Sequence, residues 1–189
     1  MSASVTKVLR SQPTRDRILE HARRLFAQEG YERTTIRTVA AAATINPSLV
    51  LRYYGSKEGL FAAAASFDLA IPDLTGVPRA ELGRTLIRHF VRRWDAPGQD
   101  LPALLRVAVT HEQARERLIQ LFREQVAPAL AKVCGPERVA VCAALVATQT
   151  IGLAFTRYVL QLPPVVALSE EEIVAQIGAT IQAYLIGER

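Results

Sequence analysis

Apolar residues recur along this chain at spacings of three and four almost from end to end. After Pro13 and a suitable cap at Thr14, the residues Ile18, Ala22, Leu25 and Phe26 form one stripe. That is the period of an amphipathic helix, and Gly30 is placed to end it. Ile36, Val39, Ala40 and Ala43 repeat the spacing, so a second helix begins at Thr34 or Thr35. Asn46 followed by Pro47 is a cap and a first helical residue. The pair predicts a short third helix that Gly55 stops. Ser56 caps a fourth helix, expected through Leu60 and Phe61 to about Ala70.

Pro72, Gly76 and Pro78 then interrupt the pattern. Leu82, Leu86, Phe90 and Trp94 mark a fifth helix over 79–94, and Pro97-Gly98 reads as a turn. A short sixth helix is expected over 101–109. Thr110 with Gln113 has the spacing of a capping box, opening a seventh helix to about Val133 with a kink at Pro128. Cys134-Gly135-Pro136 is a stop and a restart. The eighth helix runs to about Leu160, ahead of Pro163-Pro164. Ser169 with Glu172 is a second capping box, and Ile173, Val174, Ile177, Ile181 and Leu185 form the stripe of a ninth helix. No run alternates strictly and no Asn-Gly or Asp-Gly hairpin occurs. The fold class is all-α with about nine helices. A small helical domain is expected at 13–61 and a larger one at 62–189.

Charge sharpens this division. The net charge is +5. Up to Leu60 there are ten Lys and Arg against five acids, and the rest of the chain carries thirteen of each. A basic module facing a polyanion accounts for that asymmetry; a solvated basic surface is the plainer reading of charge alone. The second and third helices are joined by about three residues, Thr44-Ile45-Asn46, which is helix-turn-helix spacing over about 35–54. The third helix would then enter a major groove of double-stranded DNA. Val50 and Tyr54, with Ile45, should face the other helices, while Ser48, Leu49, Arg52 and Tyr53 point away. Arg52 suits a guanine edge or a phosphate, Tyr53 a phosphate, and Leu49 a thymine methyl. Thr35 and Lys57 suit backbone clamps. Arg37, Thr44, Asn46 and Pro47 complete the candidate DNA-binding set. A helical hairpin with solvated Arg52 and Tyr53 has the same spacing. It corresponds to an alternative function, an adaptor that uses this bundle for protein contact.

At these residues the chain resembles the TetR family of transcriptional regulators. "ILEHARRLFAQEGYERTTIRTVAAAA" is similar to the family's first two helices, with Phe26, Gly30, Tyr31 and Thr35 at matching positions. "INPSLVLRYYGSKEGL" resembles its recognition helix and the start of its fourth helix. The resemblance implies a dimeric all-α regulator, most often a repressor, released from a palindromic operator when a small molecule binds the larger domain. Two departures stand out. Thr44 occupies a turn position where the family usually has Gly; a β-branched residue disfavours positive φ, so the turn must change geometry or absorb strain. Leu51 replaces a common Tyr that contacts phosphate, which shifts backbone contact toward Arg52 and Tyr53. Further on, "GLAFTRYVLQLPP" resembles a subgroup whose inducers are generally unassigned.

In the larger domain, the eighth helix is apolar almost all round between Val139 and Phe155, broken only by Thr148, Gln149 and Thr150. Such a helix needs burial on two sides. A homodimer through the eighth and ninth helices supplies the second side; a central place in the domain is the alternative. A site for a small-molecule effector is expected among helices four to eight. Its candidate lining is Phe67, Phe90, Trp94, Leu104, Phe122, Val126 and Phe155, with Gln149 and Thr150 as polar groups. Cys134 and Cys142 lack CxxC spacing and read as two reduced, buried thiols, with a redox switch as the alternative. His21, His89 and His111 have no metal-ligand spacing, and no cofactor is implied. No nucleophile–base arrangement, phosphate-binding glycine loop or carboxylate pair points to an enzyme. No apolar run of about twenty residues is uninterrupted, so no membrane span is expected and the default location is cytoplasmic.

Overall fold

The computed structural model describes residues 2–64, 67–96 and 101–187, with side chains from residue 13 onward. Every regular element among them is helical. The helices are α1 (Ser2–Arg33), α2 (Ile36–Ala42), α3 (Pro47–Tyr54), α4 (Lys57–Ala64), α5 (Leu82–Asp95), α6 (Leu101–Ala108), α7 (Glu112–Leu121), α8 (Ala127–Cys134), α9 (Val139–Ala154), α10 (Pro163–Val166) and α11 (Glu170–Ile186). The expected eighth and ninth helices are therefore α9 and α11. The Pro97-Gly98 turn lies outside the described residues. The chain divides into two compact units. A head comprises the chain up to Ser66 with Val107–Arg117, and a body comprises Phe67–Arg106 with Leu118–Arg189.

In the head, α1 to α4 close around Ile18, Ala22, Phe26, Val39, Ala40, Ala43, Val50, Leu60 and Phe61, all buried. Phe61 packs edge-on to Phe26 at 5.0 Å and against Tyr31 at 4.8 Å between ring centroids, a geometry that suits the ring quadrupoles. The helical hydrogen bonding of α1 begins upstream of Pro13 rather than after it. Proline removes one backbone donor without always ending a helix. Gly30, at φ 79°, breaks α1 near its end as its position predicts.

The body is built on the crossing of α5 and α11. Gly83 and Gly178 meet there, and a Cβ on Gly83 would run into the Gly178 carbonyl and the backbone of Gln182. Gln182 then joins the two helices. Its Oε1 accepts from the Gly83 amide at 2.7 Å and its Nε2 donates to the Arg79 carbonyl at 2.7 Å. The first turn of α5, which has no side-chain cap of its own, is satisfied this way from a neighbouring helix. Glu170, at the start of α11, takes Arg92 at 2.9 Å and Arg88 at 3.7 Å. Ile87, Leu130, Val146, Ile173, Ile181 and Leu185 fill the core between α5, α8, α9 and α11. The Ser169–Glu172 capping box forms in both directions. The Ser169 amide and hydroxyl hold the Glu172 carboxyl below its usual range.

Several expectations are corrected here. The fourth helix does not reach Ala70: residues 67–70 form no regular element, Ala70 stands at φ 48°, and Asp68 bends the chain by accepting from the Ala70 amide at 2.8 Å. The Thr110 hydroxyl turns back to the Val107 carbonyl and His111, so no capping box with Gln113 opens α7. The expected kink at Pro128 is a π-helical turn, Phe122–Val126, directly ahead of that proline; a residue without N–H leaves the preceding carbonyls to re-pair at wider spacing. Cys134 and Cys142, both buried, bring their sulfurs into contact. They end α8 and begin α9, and the turn at Gly135 folds them together. Spacing within a helix cannot reveal that. Val139–Val159, with its own π turn at 155–159, is one continuous helix long and apolar enough to cross a bilayer. Its polar interruptions do not shorten it. One side packs on α8 and α11, as in a bundle helix, and its exposed side carries Val141, Leu145 and Ile151.

Candidate nucleic-acid interface and apolar cavity

Thr35 caps α2 by accepting from the Thr38 amide, while Thr38 returns a bond to the Thr35 amide. The turn then passes through Thr44 at φ 55°, with the Thr44 amide donating to Ala41 and the Ile45 amide to Ala40. Of the two possibilities for this threonine, the structure shows the strained one. Asn46 Oδ1 accepts from the Ser48 amide at 2.9 Å, and Pro47 opens α3. Gly59 allows α4 to start against the end of α3, because a Cβ there would strike the Tyr54 carbonyl. The Tyr54 hydroxyl donates to the Arg15 carbonyl at 3.1 Å, which ties α3 to α1. Burial pushes the Tyr54 hydroxyl above its ordinary pKa. With Val50 fully buried, the orientation of α3 is set on three sides.

The outer face of α3 exposes Ser48, Arg52 and Leu51, while Leu49 and Tyr53 are half-buried. Leu51 is thus the more exposed of the two leucines, at 46%. Two guanidinium groups approach the Tyr53 ring, Arg15 at 5.0 Å and Arg52 at 5.3 Å from its centroid. Such contacts favour cations over an aromatic face. Arg15 was not legible as a site residue, since it belongs to α1 and only the fold brings it to α3. Arg37, Thr44, Asn46 and Pro47 are exposed.

Two expected clamps are already engaged within the head. The Thr35 hydroxyl serves its cap. Lys57 lies 4.3 Å from the centroid of the Tyr31 ring and donates to the Glu32 carbonyl at 3.2 Å. Beside it the Tyr31 hydroxyl donates to Glu58 Oε1 at 2.8 Å, and His111 approaches Glu58 Oε2 at 3.7 Å. Burial alone would raise the Glu58 pKa. Hydrogen bonds from its own amide, Tyr31 and Ser56, together with His111, outweigh burial and hold it below the usual range.

Within the body lies an apolar cavity of about 130 Å³. Of the candidate effector-site residues, Phe90, Trp94, Phe122, Val126 and Thr150 line it. Four other candidates lie off it. Leu104 is buried core and so is Phe67; Phe155 stands in the π turn; Gln149 donates to the Tyr184 hydroxyl at 3.3 Å. The Thr150 hydroxyl donates to the Val146 carbonyl. Sequence reasoning missed His89 and Arg93, both on the wall. They continue the Leu86–Phe90–Trp94 stripe at helical spacing, a signal that a search for apolar residues passes over. Trp94 also stacks on Tyr158 at 5.3 Å.

Comparison with known proteins matches two stretches of the chain. Residues 18–64 match the family model of bacterial regulatory proteins of the tetR family, and residues 80–185 match that of the tetracyclin repressor-like C-terminal domain. The chain is 42% identical over 57 residues to the HTH-type transcriptional repressor AcnR of Corynebacterium glutamicum. It is 40% identical over 45 residues to the HTH-type transcriptional regulator TcmR of Streptomyces glaucescens. These matches span 30% and 20% of those relatives, respectively. A crystal structure of a TetR-family regulator from Streptomyces coelicolor A3 is 30% identical, with a TM-score of 0.54, covering 91% of this chain and 94% of that one. Salmonella enterica GusR shares the fold at 18% identity and a TM-score of 0.52, covering 92% and 95%. Two family models at matching positions, joined by a full-length structural relative, place this chain in the TetR family of bacterial regulatory proteins.

Proposed function

We propose that the protein is a cytoplasmic transcriptional regulator, most simply a repressor, that binds a palindromic DNA operator as a homodimer. It releases the operator when a small, largely apolar molecule occupies the cavity. The observation that carries this reading is the outer face of α3: Ser48, Arg52 and Tyr53 stand on a helix capped at Asn46, anchored by Val50 and Tyr54, with Arg15 beside them. A rigid helix with a basic, hydrogen-bonding face suits a major groove. The exposed Val141, Leu145 and Ile151 of α9 support dimerisation. A two-fold dimer would set two recognition helices against half-sites about 34–36 Å apart, or a multiple of that.

Fluorescence anisotropy against DNA selected from a random pool tests the reading. Saturable binding that steepens with falling salt and survives competitor DNA is the expected result; binding indifferent to sequence and salt overturns it. In the same assay Arg52→Ala is expected to weaken specific binding by about 1–3 kcal/mol, with relaxed preference at one base position.

A further inference from the structure

We propose that the ligand of the body cavity is a small apolar carboxylic acid, and that Arg93 receives its carboxylate. The inference rests on the reading of this cavity as the effector site. It begins with the arginines of α5. Arg88 and Arg92 share the carboxylate of Glu170. Arg93 lies on the cavity wall instead, and no carboxylate among the described residues pairs with it. Its Nε and a terminal nitrogen both donate to one acceptor, the Asp68 carbonyl. A carbonyl is a dipole, and it engages two of the five N–H groups of a guanidinium. The remaining face of the fork matches a carboxylate in charge and geometry.

His89, one turn earlier on the same wall, donates from Nε2 to the Leu69 carbonyl at 2.8 Å, which leaves Nδ1 as its remaining polar atom. Aliphatic and aromatic groups make up most of the remaining lining. A cation bordering such a wall attracts an anion more strongly than it would in water. A neutral apolar ligand would leave that charge unanswered. The cavity, at about 130 Å³, is close to the roughly 150 Å³ of an engineered cavity that holds benzene, so the apolar body is about one ring in size.

The same groups fasten a short strap of chain. Gln125 donates to the Phe67 carbonyl and accepts from the Leu69 amide, while Arg93 and His89 hold the carbonyls of Asp68 and Leu69. A carboxylate is a stronger acceptor than a carbonyl. Acid binding on the open face of the fork therefore acts on the same guanidinium that fastens the strap.

Calorimetric titration of the full chain with phenylacetate and with phenethyl alcohol tests this, since the two share a ring and differ in charge. Phenylacetate is expected to bind roughly tenfold or more tighter, the range of a hydrogen bond to a charged partner. Arg93→Gln should abolish the preference, leaving the two ligands with equal affinity. Arg93→Lys keeps the charge, loses the fork and should shrink the preference. Circular dichroism checks that each variant folds; should Arg93→Gln not fold, an undiminished preference in Arg93→Lys overturns the assignment. So do equal affinities in the wild type, a preference that survives Arg93→Gln, or no binding of phenylacetate. Operator release is followed in parallel. Acid binding without release leaves the acid assignment standing and overturns the effector reading. Release by both compounds alike does the reverse.

Discussion

Thr44 occupies the left-handed region at φ 55° in the turn between α2 and α3. A β-branched residue held there costs on the order of 1–3 kcal/mol. Thr44→Gly is expected to raise stability by about 1 kcal/mol, the relief of strain exceeding the entropy that glycine adds to the unfolded chain. Urea denaturation checks this, and an unchanged or lower midpoint would mean that the turn supports threonine by other contacts. Glu58 gives a second prediction at this scale. Its folded pKa is depressed by hydrogen bonds that outweigh its burial. Its stabilising contribution is therefore present above the unfolded carboxylate value, near 4.3, and is lost as pH falls through the lower folded value. Glu58→Gln should be less stable than wild type near neutral pH, and the gap should close in acid. A gap independent of pH would assign the loss to packing.

At the scale of elements, the crossing of α5 and α11 is the most constrained contact in the body. Gly83 meets the backbone of Gly178 and Gln182 without room for a methyl group. Gly83→Ala must separate the helices or bend one of them, at a cost of about 1–3 kcal/mol typical of overpacking. It also strains the bonds from Gln182 to Gly83 and Arg79. Thermal denaturation reads the loss, and an unshifted melting temperature would show that the crossing slides freely. Elements were the scale most legible in the sequence. Asn46-Pro47, Gly55 and the Ser169–Glu172 box mark their helix ends locally, and the structure follows them. Long-range pairing was not legible. The contact of Cys134 with Cys142, Arg15 beside Tyr53, and Gln182 serving α5 join residues that no local period relates. The cavity was legible in its aromatic half only, because Phe90, Trp94 and Phe122 are recognised as apolar while His89 and Arg93 are read as solvated.

At the scale of the whole molecule, α9 carries the surface on which the proposed homodimer rests. Its outer side exposes Val141 at 65%, Ile151 at 50% and Leu145 at 39%. A solvated row of this kind marks an interaction surface, and a two-fold partner would cover it with the same row. Val141→Glu is expected to yield monomers in analytical ultracentrifugation and to abolish specific operator binding while leaving the helical content unchanged. A dimer that persists would place the interface elsewhere. The head needs no change for this result, since one recognition helix still folds but engages only a single half-site.

The locked seam between Gly83 and Gly178 also matters to anyone who wishes to retrain the protein as a biosensor. Helix α5 supplies cavity residues on one flank and is bolted to α11 on the other. Substitutions that thicken α5 on its α11 side have nowhere to go. The opposite wall is more forgiving, because Phe122 and Val126 stand in a π turn whose hydrogen bonding already departs from the regular helix. If the cavity is the effector site proposed above, a library meant to change its ligand should vary that turn and spare the glycines.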